Sequence, residues 1–426
     1  MKVLIKNVVI ISSSQPTSST NILIENGTIV QIDKNINLSA DKIIEYNNLH
    51  VSVGWMDCFA NFCDPGNEHK ETLETGSNAA AAGGYTEVML IPNTNPVVHN
   101  KSQIEYLIQR SKNLSVTVHP IGAITKNTDG QELSEMYDMQ NSGASAFSDG
   151  NNSLQSSGII LKALEYIKAI DATIIQLPGD KNIAANGLMN EGVISIQLGL
   201  QGNPAISEEI LIARDIELLK YTNSRIHFTG ISTKRSLEII TKARNDGLNV
   251  SCSVTPYHLF FSDEDLKDYD TNLKVNPPLR TKEDMFAIRE GLKDGKIDFI
   301  ASHHQPQHWD DKTCEFEYAQ YGMIGLESVF GIIGICGIKS SDFIKMQTEN
   351  IRNIFNVEIP QIKCGAKANL TLFDPDAEYI FQEENIYSKS RNSPYIGKNL
   401  KGKTFGIING DKLFLSASCL MENNKN

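Results

Sequence analysis

The chain has 426 residues, with 39 lysines and arginines against 51 aspartates and glutamates and a formal net charge of −12. That length suits one large domain plus a smaller one, and 40% hydrophobic residues supply an ordinary core, which argues against global disorder. The acidic balance argues against a nucleic-acid binder, no apolar run approaches the roughly 18 residues that span a bilayer, and seven cysteines without CxxC pairs read as reduced thiols of a cytoplasmic protein.

The opening MKVLIKNVVIISSS has Lys6 and Asn7 inside its apolar run and no small-residue cleavage site after it, so a β-strand over 3–11 is expected rather than a signal peptide. Short runs follow at 22–25 and 28–32, separated by the hairpin signal Asn26-Gly27, and at 43–46. From residue 51 the texture changes to strand-like runs alternating with helical stretches. Strands are predicted over 51–59, 86–91, 115–121, 144–147, 173–177, 225–229, 249–254 and 297–301. Helices are predicted over 71–82, 102–111, 132–141, 158–170, 208–221, 234–245, 282–292 and 325–335. Leu161, Leu164, Ile167 and Ile170 form an apolar stripe in the fourth helix, and Ser232 or Thr233 caps the sixth. Short β runs return at 369–373, 379–381, 404–408 and 412–415, the last two joined by Asn409-Gly410, and MENNKN reads as a frayed tail.

Eight strands alternating with eight helices over about 280 residues predict an α/β fold, a (β/α)8 TIM-like barrel, with a doubly wound open sheet as the alternative. The β runs at both ends are expected to join in one small β-sandwich domain over 1–52 plus 363–426, leaving 53–362 for the barrel. Function in a barrel lies at the C-terminal strand ends. Those ends hold Asp57 to Gly66, Pro92-Asn93-Thr94-Asn95-Pro96, Phe147-Ser148-Asp149-Gly150, Gln176-Leu177, His227-Phe228-Thr229-Gly230, Thr255 to His258, and Ser302 to His308.

The blocks Asp64-Pro65-Gly66-Asn67-Glu68-His69-Lys70-Glu71-Thr72, Ala79 to Thr86, Pro92 to Pro96, Met189-Asn190-Glu191-Gly192, Asn276-Pro277-Pro278-Leu279-Arg280, Gly325-Leu326-Glu327 and Ser388 to Pro394 resemble the long bacterial dihydroorotases of the amidohydrolase superfamily, in the family's order and over nearly the whole chain. The resemblance implies a zinc-bearing barrel that interconverts N-carbamoyl-aspartate and dihydroorotate, through a metal-activated water and an acid/base for the leaving nitrogen.

Carried over position by position, the resemblance places Asp57 on the first ligand position but Phe59 and Asn61 on two histidine positions. Cys63 falls where an arginine would grip substrate carboxylate, and Gly150 where a bridging carboxylate would stand. Leu177 (or Gln176) and Gly230 fall on further histidine positions, His303 on the catalytic aspartate, and Gln307 on a substrate-binding histidine. None of the nine histidines falls on a histidine-ligand position. Phenylalanine, leucine and glycine side chains cannot ligate a divalent cation, so neither a metal nor a catalytic residue is expected, although zinc is the family's cofactor.

Asn93, Asn276, Tyr321 and Gly322 match substrate-pocket positions. A turn role for Asn93 and a strand-end role for Asn276 compete with that assignment. His303, His304 and His308 could form a replacement metal site, with His304 and His308 on one face of a helical loop, against the plainer expectation of loop histidines. Cys58 and Cys63 read as buried small hydrophobes, and His69 with Glu71 as a helix start. The expected function is therefore a non-catalytic dihydroorotase-like protein of pyrimidine biosynthesis, a structural or regulatory partner of aspartate transcarbamoylase. The alternatives are an active dihydroorotase with rearranged ligands and a metal-free small-molecule binding module. The resemblance also implies a possible homodimer; no nucleic acid and no membrane are expected as partners.

Overall fold

A computed structural model describes residues 1–11 and 18–417; the expected frayed tail MENNKN lies outside the described residues. Eight strands form the barrel: β1 (Trp55–Ala60), β2 (Tyr85–Leu90), β3 (Thr117–Gly122), β4 (Ala146–Phe147), β5 (Ile174–Gln176), β6 (Ile226–Phe228), β7 (Val250–Val254) and β8 (Phe299–Ile300). They are parallel and neighbour one another in chain order. Just past β8, His304 makes a parallel bridge to Ala60, and the Asn61 amide donates to the His304 carbonyl at 2.9 Å. This seam joins the last strand to the first, so the doubly wound open sheet is overturned. Strands buried on both faces read as near-continuous apolar runs, as in WMDCFA and YTEVML, whose residues are all buried.

Several expectations change in detail. The run 51–59 is two strands: His50–Val53 pairs antiparallel with Asn369–Ile380, and only Trp55–Ala60 enters the barrel. The helix predicted from residue 71 begins at Leu73, because the Thr72 side chain accepts from the Thr75 amide as its cap. The stretch 132–141 is helical only from Met136, since Leu133 bridges Thr125 instead. In Ser157–Ala169 the buried stripe is Ile160, Ala163, Leu164 and Ile167, leaving Leu161 half-buried. Thr233, not Ser232, caps the helix Lys234–Asn245.

Both chain ends build a second eight-stranded sheet. Its hydrogen-bonded path runs Lys412–Leu415, Asn399–Asn409, Asn369–Ile380, His50–Val53, Lys2–Ile10, Thr20–Glu25 and Thr28–Asp33, with Lys42–Ile44 also on Lys2–Ile10. Asn26-Gly27 and Gly410-Asp411 make the hairpin turns, with Glu25 opposite Thr28 and Asn409, the last residue of its strand, opposite Lys412. No helix among the described residues is long and apolar enough to cross a membrane.

A buried ionic knot fastens this sheet to the barrel floor. Arg352, fully buried, donates to Glu87 at 2.7 Å and to the Gly54 carbonyl at 2.9 Å. His119 lies 2.7 Å from the other Glu87 oxygen, and Asn369 of the terminal sheet donates to Glu87 at 3.2 Å. Burial alone would raise the Glu87 pKa; the His119 bond and the Arg352 charge outweigh it and hold the carboxyl at about 2. Its folded value lies below its unfolded one, so its contribution is present above about pH 4.5 and fades as the pH falls toward 2. Glu87→Ala, which strands the Arg352 charge in the interior, should cost about 3–5 kcal/mol, measured as a lowered denaturant midpoint at neutral pH.

Candidate functional site

Within β1, Asp57 is wholly buried. Its Oδ1 accepts from the Ser302 amide at 2.7 Å, and its Oδ2 from the Ser302 hydroxyl at 2.8 Å and the Phe59 amide at 3.3 Å. Burial raises its pKa against the opposing pull of these bonds. The backbone held this way brings the Phe59 ring onto His303, with centroids 4.3 Å apart and planes 26° from parallel.

A run of side chains on β6 and β7 then fixes the imidazole. The two nitrogens of His227 lie 2.8 Å from the Ser251 hydroxyl and 2.9 Å from that of Ser253. Ser253 donates to Thr229 at 3.0 Å, and the Thr229 hydroxyl lies 2.8 Å from His303 Nε2. Burial, together with His258 and His227 nearby, pulls the His303 pKa down to about 3, so the ring is neutral.

Gly230 and Leu177 complete the same cluster. At Gly230, φ is +68°, and a Cβ there would stand 2.8 Å from His303 Cε1 and 3.4 Å from Leu177 Cδ1. Four of the positions singled out in the sequence, Phe59, Leu177, Gly230 and His303, thus meet in one closely packed group.

Gly150 belongs to a separate arrangement. Its φ is +61°, and a Cβ would lie 1.7 Å from Asn93 Oδ1. The Asn93 amide group donates to the Asp149 carbonyl at 3.1 Å and accepts from the Asn151 amide at 2.9 Å, so it braces the turn around Gly150. Asp149 itself points away, accepting from the Ile124 and Thr125 amides at 2.9 Å and from the Thr125 hydroxyl. Burial raises its pKa to about 6.

Amide side chains cross the mouth above. Asn61 donates to Gln305 at 3.3 Å, and Gln305 donates to Asn151 at 2.8 Å. Asn61 Oδ1 also accepts from the Cys63 amide at 2.8 Å, and burial raises the Cys63 thiol to about 12, an inert group. Gln307 accepts from Lys70 at 2.7 Å and donates to the Tyr321 carbonyl at 2.7 Å.

Several site expectations are corrected here. Asn276 is exposed and ends no strand, lying after the short 3-10 turn Thr271–Leu273. The Gly322 amide donates to the Lys274 carbonyl, and its own carbonyl accepts from Asn392, so neither faces an open pocket unpaired. The Tyr321 hydroxyl donates to the Gly187 carbonyl at 3.1 Å, with the ring over Lys274 Nζ. His303, His304 and His308 do not converge. The segment is extended at His304, which bridges both Ala60 and Met323, while His308 is exposed beside Asp310. Among the described residues no group of three or more His, Cys, Asp or Glu side chains could hold a metal ion.

One hub was not legible from spacing. Glu71 accepts from the Ser388 and Thr75 hydroxyls and from the Lys389 amide at 2.9 Å, with His304 Nε2 at 3.4 Å. Burial would raise its pKa, but the hydrogen bonds from His304, Ser388 and Thr75 lower it on balance. The Ser388–Pro394 block was the only sequence signal that this tail serves the barrel mouth.

Barrel and terminal sheet together match solved hydantoinases and dihydropyrimidinases in fold. The L-hydantoinase (dihydropyrimidinase) of Arthrobacter aurescens superposes with a TM-score of 0.85 at 21% identity, over 97% of this chain and 96% of that one. The dihydropyrimidinase of Brevibacillus agri gives 0.81 at 18%, over 98% and 97%. A "Dihydro-orotase-like" family model matches residues 50–236. The dihydroorotase of Caldanaerobacter subterraneus subsp. tengcongensis is 39% identical over 96% of both chains, and that of Aquifex aeolicus 38% identical over 97% of this chain and 99% of its own. The chain belongs to the dihydroorotase family of the amidohydrolase superfamily.

Two outcomes test this geometry. Gly150→Asp should destabilise the fold by about 1–3 kcal/mol, read as a lower melting temperature, because a side chain at that positive φ displaces Asn93. The share of pH dependence owed to His303 is the difference between wild type and His303→Leu. The imidazole stays neutral in the fold to about pH 3 but takes a proton near 6.5 when unfolded. That share is therefore complete above pH 6.5 and shrinks as the pH falls toward 3, which melting curves of both proteins across that range would follow.

Proposed function

We propose that this member of the dihydroorotase family is a non-catalytic protein of pyrimidine biosynthesis, acting in the cytoplasm as a structural or regulatory partner of aspartate transcarbamoylase. The observation that carries this reading is the Phe59–His303 stack, with Leu177 and Gly230 closing around it. Phe59 and Leu177 bring no donor atom to ligand positions of the family, and both Asp57 oxygens are engaged along the strand seam. On this reading zinc does not fit the residues present, and no step is routed through it. His303, in the place of the catalytic aspartate, is neutral and hydrogen-bonded to the Thr229 hydroxyl.

A second reading, an active dihydroorotase with rearranged ligands, is favoured by the comparisons, because relatives 36–39% identical over nearly the whole chain carry that name. Metal content and turnover separate the two. The first reading expects purified protein with well under one zinc per chain and no ring opening of dihydroorotate above a blank, unchanged by chelator. One or two tightly bound ions per chain, with turnover abolished by chelation, would establish the second.

A further inference from the structure

Three segments on the C-terminal side of the barrel, 187–198 after β5, 263–274 after β7 and 308–321 after β8, are stitched into one surface. The Tyr269 hydroxyl donates to the Leu198 carbonyl at 2.8 Å, and the Tyr321 hydroxyl to the Gly187 carbonyl at 3.1 Å. Thr271 donates to the Lys312 carbonyl at 2.6 Å, while Lys312 Nζ donates to the Thr271 and Gln320 carbonyls at 2.9 and 2.6 Å. Lys274 Nζ donates to the Phe316 and Glu317 carbonyls at 2.7 and 2.9 Å. Both lysines are thereby turned inward and buried.

What remains outside is apolar and acidic. Ile196 is 81% exposed, Trp309 and Tyr318 71% each, and Val193 69%. Single exposed apolar side chains are ordinary, but these four project from two of the three segments, 187–198 and 308–321, which are bound to one another through Tyr321 and Gly187. Around them Glu191, Asp265, Asp268, Asp310, Glu315 and Glu317 are exposed, and Lys267 is the one exposed lysine or arginine in these segments. A two-fold contact with a second copy would set these acids against their own like.

We propose that this surface docks a different protein, one whose contact face offers apolar pockets rimmed by lysine or arginine. The assignment stands whichever reading of the barrel interior holds. Aromatic anchors inside a charged rim are where binding energy concentrates, and opposite charge on the rim speeds encounter.

The test places a photocrosslinking phenylalanine derivative at position 318 of the full chain in its native cell and sequences the linked peptide. The expected result is a peptide of another protein bordered by lysines or arginines. Yield should fall about tenfold in Ile196→Ala/Trp309→Ala, a variant with unchanged melting temperature. For the purified complex, yield should also fall several-fold between about 0.05 and about 0.5 M salt. Links only to this chain, no foreign link, or a yield indifferent to the double substitution would each overturn the proposal. A linked peptide from a protein other than aspartate transcarbamoylase keeps the surface and removes that partner. Co-purification of the transcarbamoylase without a link at 318 keeps the partner and removes the surface.

Discussion

Asp57 holds the seam between β1 and the end of β8, and the barrel mouth takes its geometry from that contact. A buried carboxylate needs hydrogen bonds to offset lost hydration, and Asp57 receives them from the Ser302 amide, the Ser302 hydroxyl and the Phe59 amide. Two of these donors lie across the seam, so the side chain that satisfies itself also closes the barrel. With β1 fixed there, position 59 faces the interior and position 303 comes to face it. A flat ring against a flat ring fills that space, with His303 held at a positive φ of 45°.

The packing around Gly230 and Leu177 follows from that stack. His303 enters the volume next to residue 230, which leaves no room there for a side chain. The imidazole is met by the Thr229 hydroxyl and brings no charge. Burial also holds His227 and His258 down to about 3, so the interior around Phe59 carries no cluster of cations in want of a counter-ion. His303 stacks on Phe59 and lies beside position 230, so substitutions at 59, 230 and 303 should couple rather than add.

The alternation of apolar runs and helical stretches was enough to read the barrel from the sequence, and Asn26-Gly27 and Asn409-Gly410 were enough to read two hairpins. The β1 boundary was not legible, because Val51 to Phe59 reads as one strand-like run and its division depends on strand pairing and a Gly54–Asn369 backbone bond more than 300 residues away. Motif blocks in family order singled out positions 59, 177, 230 and 303 for comparison. Their mutual packing was not legible, since spacing says nothing of which side chains face each other across a barrel. Glu71 with Ser388 and Glu87 with Arg352 lie 317 and 265 residues apart, beyond any local pattern. A helical loop uniting His304 with His308 failed for a backbone reason: bridges to Ala60 and Met323 hold His304 extended.

The same long-range bonds bear on access. The mouth is crossed by Asn61–Gln305–Asn151 and by Lys70–Gln307–Tyr321, and it is framed from the side by Ser388, Lys389 and Asn392. Each amide link at a partly wet surface is worth only about 1 kcal/mol net, because water replaces what is broken. Such a belt could open for a small solute, so it cannot decide between a catalyst and a scaffold. The layer beneath weighs more, because parting Phe59 from His303 means opening a dry, close-packed contact with no solvent to compensate. The distinction between the two functions therefore rests on the floor of the site rather than on its entrance.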